Sequence, residues 1–189
     1  MHGAEAPSGW VLRWLGAPGE RRAVLDVACG SGRHARLAAE RGFNVTAVDR
    51  DGAALATMGE AVRVQTKLAD LEGAPWPFSP ASFDIVIVTN YLHRQLFDAI
   101  AQSLRPGGML IYETFMLGNE RHGRPSNPAF LLKPGELLAA FAGSLRIVAF
   151  EEGEVNAPKL AIVQRYAGVR LGDCSPPEVI GRPIAERLD

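Results

Sequence analysis

Short apolar segments alternate with helix-like segments along most of the chain, and no other feature of the sequence constrains the fold as strongly. The predicted strands are Val24–Ala28, Asn44–Asp49, Val62–Thr66, Phe83–Thr89, Met109–Phe115, Leu145–Glu151 and Lys159–Arg165. The predicted helices are Arg33–Arg41, Asp51–Glu60, Leu96–Leu104 and a segment that begins near Pro134. Strands that alternate with helices, followed by two consecutive strands, are typical of an α/β fold. The sequence therefore predicts a doubly wound, mostly parallel sheet with a C-terminal β-hairpin.

Several of these boundaries have local chemical signals. Asp51 can cap the second predicted helix, and Gly42 is typical of a residue that ends the first one. Three prolines predict irregular structure over residues 72–80, because proline lacks the backbone N–H and fixes φ. The nearly continuous apolar run Phe83–Thr89 is typical of a parallel strand that is covered on both faces.

Length and composition restrict the class of protein. The chain has 189 residues, which predicts one domain: an N-terminal helical lid over residues 1–22, a core over 23–167 and a tail over 168–189. The net charge of −1 disfavours binding of nucleic acid through bulk charge. Cys29 and Cys174 are too few for a disulfide framework. With no long apolar run and no signal peptide, we expect a cytoplasmic protein without membrane contact.

The segment between the first strand and the first of these helices is a glycine-rich turn, Cys29-Gly30-Ser31-Gly32. Glycine permits a sharp turn and a close approach of the backbone to a ligand, and the following helix presents free N–H groups at its start. The third glycine of the G-x-G-x-x-G pattern is replaced by Ala35, which the looser pattern allows. No Gly-Lys-Ser/Thr follows, so a P-loop is excluded; a tight turn without function is the alternative.

Polar residues also follow the next three strands, at the sheet edge where ligands of such folds bind. Asp49 ends the second strand, where a carboxylate can accept both hydroxyls of a ribose. Asp70 and Leu71 follow the third strand and can contact the edge of a base, while Asn90 and His93 follow the fourth. Taken singly, Asp49 is equally well explained as a helix cap, whereas Asp70, Asn90 and His93 are better explained as turn or packing residues. Together with the glycine-rich turn, these residues place four such signals after four successive strands, and this combination favours a nucleoside site.

The motifs VLDVACGSGRHA, VTAVDRD, LADLE, FDIVIVTNYLH and LRPGGMLIYETF together resemble the successive motifs of the class I S-adenosylmethionine-dependent methyltransferases. The resemblance covers about Ala23 to Arg165. Within that superfamily the chain looks most similar to the small bacterial methyltransferases related to the tellurite-resistance methyltransferase. The resemblance implies a Rossmann-like sheet of seven strands in the order 3-2-1-4-5-7-6.

The resemblance also implies a set of residues that bind S-adenosylmethionine, which becomes S-adenosylhomocysteine after transfer. Asp26, Gly30 and Gly32 match the motif that binds the methionine part, and Ala28 and Cys29 lie along its backbone. The ribose and the adenine are matched by Asp49, Arg50, Asp70 and Leu71. Asn90 matches the position that meets the amino group of the cofactor.

Methyl transfer from a sulfonium needs an aligned acceptor and, where the acceptor is protonated, a general base. The candidates are His93, Tyr91 and His122, and each has packing or solvent exposure as its alternative. No metal ion is expected. Arg121 and Arg124 in the loop after the fifth strand, together with His122, could bind an anionic small-molecule acceptor; a solvated loop is the alternative.

Helical spacing of Trp10, Val11, Trp14 and Leu15 is explained either by core packing or by a lid over the cofactor. The missing Asn-Pro-Pro-Tyr motif disfavours methylation of DNA adenine or glutamine, and the lack of a cysteine after the fourth or sixth strand disfavours cytosine-5 chemistry.

The alternative functions that remain are those of an NAD-type dehydrogenase, a non-catalytic module that binds the cofactor, and a methyltransferase acting on RNA or protein. The sequence leaves both a monomer and a homodimer open.

Overall fold

Seven β-strands and five α-helices make up the regular structure of residues 6–16, 22–59, 61–156 and 159–172, which the computed structural model describes. The strands are β1 (Ala23–Val27), β2 (Asn44–Asp49), β3 (Val64–Leu68), β4 (Phe83–Thr89), β5 (Leu104–Phe115), β6 (Leu145–Val155) and β7 (Ala161–Arg170). The α-helices are α1 (Gly9–Trp14), α2 (Arg33–Glu40), α3 (Gly52–Ala56), α4 (Phe97–Ser103) and α5 (Glu136–Phe141). Short 3-10 helices cover Arg94–Leu96, Asn119–Arg121 and Pro128–Phe130. In this part of the chain, no helix is long and apolar enough to cross a membrane.

All seven strands belong to one sheet with the order β3-β2-β1-β4-β5-β7-β6. Strands β1 to β5 run parallel to one another, and β7 runs antiparallel to both β5 and β6. The predicted fold class, strand order and C-terminal hairpin are therefore confirmed. This order brings the carboxyl ends of β1, β2, β3, β4 and β5 to one edge of the sheet.

The predicted helix and strand boundaries differ from the structure where pairing or capping overrides local sequence. β3 begins at Val64, two residues later than predicted, and α3 ends at Ala56. Asp51 does cap α3, because its carboxylate accepts the N–H groups of Ala53 and Ala54. The helix predicted over Leu96–Leu104 ends at Ser103, and β5 begins at Leu104, five residues earlier than the predicted strand.

The predicted tail is wrong at its start, because Gly168 to Arg170 belong to β7. Gly168 pairs with Leu110 of β5 and with Ile147 of β6, so the hairpin is longer than its apolar runs suggest. The rest of the predicted tail from residue 173 on, including Cys174, lies outside the described residues, as do residues 1–5 and Glu60.

Apolar side chains cover both faces of the sheet, which explains the nearly continuous apolar sequence of β4. Leu25 and Val86 belong to the buried cluster on one face, and Val24 and Ile85 belong to the cluster on the other. The second cluster includes three side chains of the N-terminal segment, Trp10, Val11 and Leu15, each at most 2% exposed. Trp14 is only partly buried. The helical spacing of this segment thus reflects core packing.

Two hydrogen-bonded contacts fix the N-terminal segment to the sheet. His34 of α2 is buried, and its Nε2 accepts the N–H of Ser8 at 3.0 Å while its Nδ1 lies 3.2 Å from the hydroxyl of Thr89. In addition, the indole N–H of Trp10 donates to the carbonyl of Tyr166 at 3.1 Å. Because Nε2 accepts a hydrogen bond, the ring is neutral and carries its proton on Nδ1. Burial and the nearby Arg33 lower the pKa of His34 to about 3.

We predict that the His34→Gln variant has a weaker pH dependence of folding than the wild type in acid. The unfolded chain protonates this histidine below about pH 6.5, whereas the folded chain keeps it neutral until about pH 3. The contribution of His34 to the free energy of unfolding is therefore complete above pH 6.5. It falls by up to about 1.4 kcal/mol for each pH unit below that value. Urea unfolding of both proteins at pH 7, 6 and 5 measures this difference, and an equal loss in the two proteins would contradict it.

Candidate active site

The turn between β1 and α2 holds three residues in the left-handed region. Ala28, Gly30 and Gly32 have φ values of 50°, 55° and 79°. At Gly32 the left-handed conformation favours glycine, and an added Cβ atom would also displace the Met58 side chain. At Gly30 an added Cβ would meet no atom within 4 Å, so the backbone there faces open space. The turn therefore leaves room for a ligand to approach its main chain.

Asp49, at the end of β2, is held against this turn by two backbone hydrogen bonds. Its Oδ2 accepts the N–H of Gly30 at 2.7 Å, and its Oδ1 accepts the N–H of Asp51 at 2.9 Å. Each carboxylate oxygen can accept more than one hydrogen bond, so both can still bind a hydroxyl group. The structure thus places the predicted ribose-binding acid beside the glycine-rich turn, with its orientation already fixed.

A cavity of about 210 Å³, the small cavity below, lies beyond the ends of the first four strands. It is lined by Ala28, Asp49, Arg50, Ala69, Asp70, Leu71, Glu72 and Tyr91. Five of these residues were predicted from the sequence as cofactor contacts: Ala28, Asp49, Arg50, Asp70 and Leu71. The strand order brings them together from three separate connections of the sheet.

The small cavity is acidic at one end. Backbone N–H groups of Glu72 and Gly73 hold the pKa of the Asp70 carboxyl below its usual range, so this exposed group is ionised at neutral pH. Burial and the nearby Glu72 raise the pKa of Tyr91 above its usual range. Its hydroxyl is buried, and the Glu72 carboxylate is the acidic side chain beside it. Tyr91 is therefore a neutral phenol, and it does not have the charge of a strong base.

Asp26 of β1 lies beneath the glycine-rich turn and is only 1% exposed. Burial raises its pKa to about 7, although a hydrogen bond from the Ala35 N–H and the charge of Arg33 act in the opposite direction. Its Oδ2 has no hydrogen-bond partner among the described residues. Asp26 lines neither the small cavity nor the larger one described next.

Cys29, which the resemblance places along the turn, is a partly buried thiol. Burial and the charges of Asp26 and Asp49 raise its pKa above its usual range. The thiolate, which is the nucleophilic form of cysteine, is thus disfavoured at this position. Cys29 packs against the apolar cluster that contains α1 and α2.

A second cavity of about 390 Å³, the large cavity below, opens beyond β4, β5 and β7. It is lined by Ser8, Arg33, Asn90, Glu113, Phe115, Asn119, His122, Arg124, Val155, Lys159, Leu160, Ala161, Val163 and Arg165. Asn90 lines the large cavity, whereas the next residue, Tyr91, lines the small one. The two cavities therefore approach each other at the end of β4, where Asn90 has a φ of 55°.

Ion pairs connect the wall of the large cavity to α1. Arg165 of β7 contacts Glu113 of β5 at 2.6 Å and Glu151 of β6 at 3.4 Å. Glu151 in turn contacts Arg13 of α1 at 3.3 Å. The Glu113–Arg165 pair is largely buried, and it fixes both side chains at the cavity wall.

The structure separates the three residues predicted as candidate bases. His122 lines the large cavity with its side chain 22% exposed, and its Nε2 lies 3.9 Å from the carboxylate of Glu154. Tyr91 lines the small cavity. His93 lines neither cavity and lies close enough to Asp70 to lower the pKa of that carboxyl. Of the two arginines predicted to meet an anionic acceptor, Arg124 lines the large cavity and Arg121 does not.

Sequence reasoning missed four charged residues of the large cavity, namely Arg33, Glu113, Lys159 and Arg165. One of them had a usable signal, since Glu113 is the charged residue of the mostly apolar predicted strand Met109–Phe115. Such a residue requires a partner or a function. Lys159 and Arg165 reach the cavity only because the hairpin folds back beside β5, which their local sequence does not indicate.

The chain is similar to known methyltransferases over part of its length. Residues 24–108 match the model of a methyltransferase domain family. A protein described as a methyltransferase from Geobacillus sp. (strain WCH70) is 36% identical over 119 residues, which covers 54% of this chain and 45% of that protein. The chain therefore spans about half the length of this curated relative.

Solved structures of methyltransferases share the fold. An S-adenosylmethionine-dependent methyltransferase from Methanosarcina mazei has a TM-score of 0.69 at 16% identity, over 88% of this chain and 99% of that chain. One from Mesorhizobium loti has a TM-score of 0.68 at 20% identity, over 85% and 96%. TehB from Haemophilus influenzae has a TM-score of 0.65 at 18% identity, over 80% and 58%. These structures share the fold that the resemblance to class I S-adenosylmethionine-dependent methyltransferases implies.

We predict that Asp26→Asn is more stable than the wild type at pH 8, and that the difference shrinks towards pH 4. The folded chain keeps the Asp26 proton up to about pH 7, whereas the unfolded chain releases it near 3.8. The contribution of Asp26 to stability therefore falls by up to about 1.4 kcal/mol per pH unit as the pH rises between these values. Asparagine removes this ionisation. Urea unfolding at pH 4, 6 and 8 tests the sign, and a pH-independent difference would contradict it.

Proposed function

We propose that the chain, which shares the fold of solved S-adenosylmethionine-dependent methyltransferases and matches a methyltransferase domain over residues 24–108, transfers the methyl group of S-adenosylmethionine to a small-molecule acceptor. The observation that carries the proposal is the position of Asp49. An oriented carboxylate lies against a glycine-rich turn, in the same cavity as Asp70 and Leu71. We assign the small cavity to the adenosine part of the cofactor and the large cavity to the acceptor.

The residues of the small cavity fit a nucleoside. Both oxygens of Asp49 retain acceptor capacity for the two ribose hydroxyls. The ionised Asp70 can accept a hydrogen bond from the exocyclic amine of adenine, and the buried Leu71 supplies an apolar surface below it. Arg50 flanks the cavity from its exposed side. A volume of about 210 Å³ is adequate for part of a cofactor that continues towards Asn90.

The turn fits the methionine part of the cofactor. The open space at Gly30 allows a ligand to reach the backbone, and Asn90 follows at the junction of the two cavities. The Oδ2 atom of Asp26 has no hydrogen-bond partner among the described residues. The ammonium group of the methionine part is a charged donor that could bind to it. Since Asp26 lies beneath the turn, we assign it to this end of the cofactor.

The bound cofactor supplies a methyl group that its sulfonium already activates. The protein has to hold the acceptor in line with that methyl group, exclude water and, where the acceptor carries a proton, remove it. His122 is the candidate base that lines the acceptor cavity, and Glu154 can stabilise its imidazolium form at 3.9 Å. Ser8, fixed by His34, closes the cavity on the side of α1.

The relatives reported above are described as methyltransferases, so neither an NAD-type dehydrogenase nor a non-catalytic module is favoured. A dehydrogenase would share the glycine-rich turn and the acid at the end of β2, and binding experiments therefore have to include NAD as a comparison.

We predict that Asp49→Asn weakens the binding of S-adenosylhomocysteine by at least about tenfold. Two charge-assisted hydrogen bonds to the ribose are lost or weakened, and each contributes roughly 1.5–3 kcal/mol. Isothermal titration calorimetry measures the affinity. The wild type is expected to bind S-adenosylhomocysteine and to show no heat with NAD.

The matched control for this variant is Asp98→Asn, an exposed carboxylate in the first turn of α4. It changes the net charge equally and is expected to keep the affinity of the wild type. Equal affinity of Asp49→Asn and the wild type, with both proteins folded by circular dichroism, would refute the assignment of the small cavity.

We predict that His122→Asn lowers the rate of methyl transfer by about 10²-fold or more, the usual loss when a general base is removed. The rate is measured with methyl-labelled cofactor and a small-molecule extract of bacterial cells as the source of acceptor. His93→Asn is the matched control and is expected to keep the rate, because His93 lines neither cavity. An unchanged rate in His122→Asn, or equal losses in both variants, would remove His122 as the base.

A further inference from the structure

The charged side chains of the large cavity are unbalanced. Arg33, Arg124, Lys159 and Arg165 carry positive charges, and Glu113 carries the single negative charge among the lining residues. Since Glu113 and Arg165 form an ion pair with a distance of 2.6 Å, they largely neutralise each other. The remaining charge of the wall is positive, although the whole chain has a net charge of −1.

Two of these cations are available to a ligand. Within the described residues, Arg124 and Lys159 make no hydrogen bond and no ion pair. Arg124 lies on the loop after β5, and Lys159 lies just before β7, so the two approach the cavity from different elements. A guanidinium and an ammonium group without partners at the wall of a concave site favour an anion.

Two other polar side chains of the wall, those of Asn119 and Ser8, already have hydrogen-bond partners. Asn119 is buried, and it donates to the carbonyl of Pro125 and accepts the N–H of Ile162. The hydroxyl of Ser8 accepts the N–H of Trp10. Much of the remaining wall is apolar and is formed by Phe115, Val155, Leu160, Ala161 and Val163. A volume of about 390 Å³ is in the usual range for small-molecule sites.

We propose that the acceptor is a small molecule with an apolar body and an anionic group, a carboxylate or a phosphate, which Arg124 and Lys159 bind. This inference rests on the proposed function, since it assigns the acceptor of the same reaction. The apolar body contacts the side chains of β5, β6 and β7, and the charged end reaches the two cations at the cavity wall.

The anionic group anchors the acceptor and is not itself methylated. Pairing with two cations lowers the basicity of an anionic oxygen, and with it the reactivity of that oxygen towards the methyl group. The atom that forms the new bond to the methyl carbon is thus a different one. The bond between this carbon and the sulfonium sulfur breaks, its electron pair stays on sulfur, and any proton of the acceptor atom passes to a base.

A charge-fractionated extract tests the proposal. Small molecules from bacterial cells are separated on an anion exchanger into a flow-through and a bound fraction, and each is incubated with the protein and methyl-labelled cofactor. Alkaline phosphatase treatment of the bound fraction distinguishes phosphate monoesters from carboxylates. We expect label to enter the bound fraction only, and the labelled product to bind the exchanger again.

Failure of this inference and failure of the proposed function give different results. Labelling that occurs in the flow-through alone, or a labelled product that no longer binds the exchanger, overturns the anionic anchor and leaves methyl transfer intact. No labelling in either fraction, by a protein that binds S-adenosylhomocysteine, overturns the proposed function and this inference with it.

Variants of the two cations test whether Arg124 and Lys159 bind the anionic group. Arg124→Ala combined with Lys159→Ala is expected to raise the KM for the active fraction at least about tenfold, because each charge-assisted hydrogen bond contributes about 1.5–3 kcal/mol. The affinity for S-adenosylhomocysteine is expected to stay within about twofold. The control is Arg146→Ala, an exposed arginine at the opposite end of β6 from Val155, which is expected to leave KM unchanged. An unchanged KM in the double variant, or the same rise in the control, overturns the assignment.

Discussion

The hydrogen bond from the Gly30 N–H to the Asp49 carboxylate is the interaction on which the candidate site depends. It joins the turn after β1 to the end of β2, and the second oxygen of Asp49 accepts the N–H of Asp51 at the start of α3. Three connected elements are thereby fixed around one carboxylate. Because the carboxylate is oriented before any ligand arrives, a ribose would bind to a preformed acceptor pair and would not have to order the loop.

The sheet divides the chemistry between two cavities. The parallel half, β3-β2-β1-β4, ends at the small cavity, whereas β5 and the antiparallel hairpin supply most of the large one. The parallel half carries the motifs that methyltransferases share. The hairpin contributes Lys159 and Arg165, so the proposed selectivity for an anionic acceptor arises in the part of the chain beyond the matched domain, residues 24–108. The ion pairs of Arg165 and Glu151 connect this part to α1.

The two buried titratable groups beside the turn, His34 and Asp26, make the stability of the fold depend on pH in opposite directions. The neutral His34 favours the folded state above about pH 6.5 and loses this effect in acid. The protonated Asp26 favours the folded state below about pH 4 and loses its effect as the pH rises towards 7. His34 has a structural explanation in its contacts with Ser8 and Thr89. Asp26 keeps an unpartnered oxygen, which is a cost to folding that ligand binding can relieve.

The sequence by itself determined the fold class, the cap at Asp51 and the grouping of Asp49, Asp70 and Leu71, because these depend on local periodicity and on the rule that parallel strands end at one edge. It did not determine that His122 lines the large cavity and His93 does not, since the local sequence of each histidine is equally compatible with packing or solvent exposure. Nor did it indicate that Lys159 and Arg124 line the same cavity. Only the tertiary structure decided these points: antiparallel pairing of β7 with β5 brings residues far apart in the chain to one wall, and a short-range pattern carries no information about that distance.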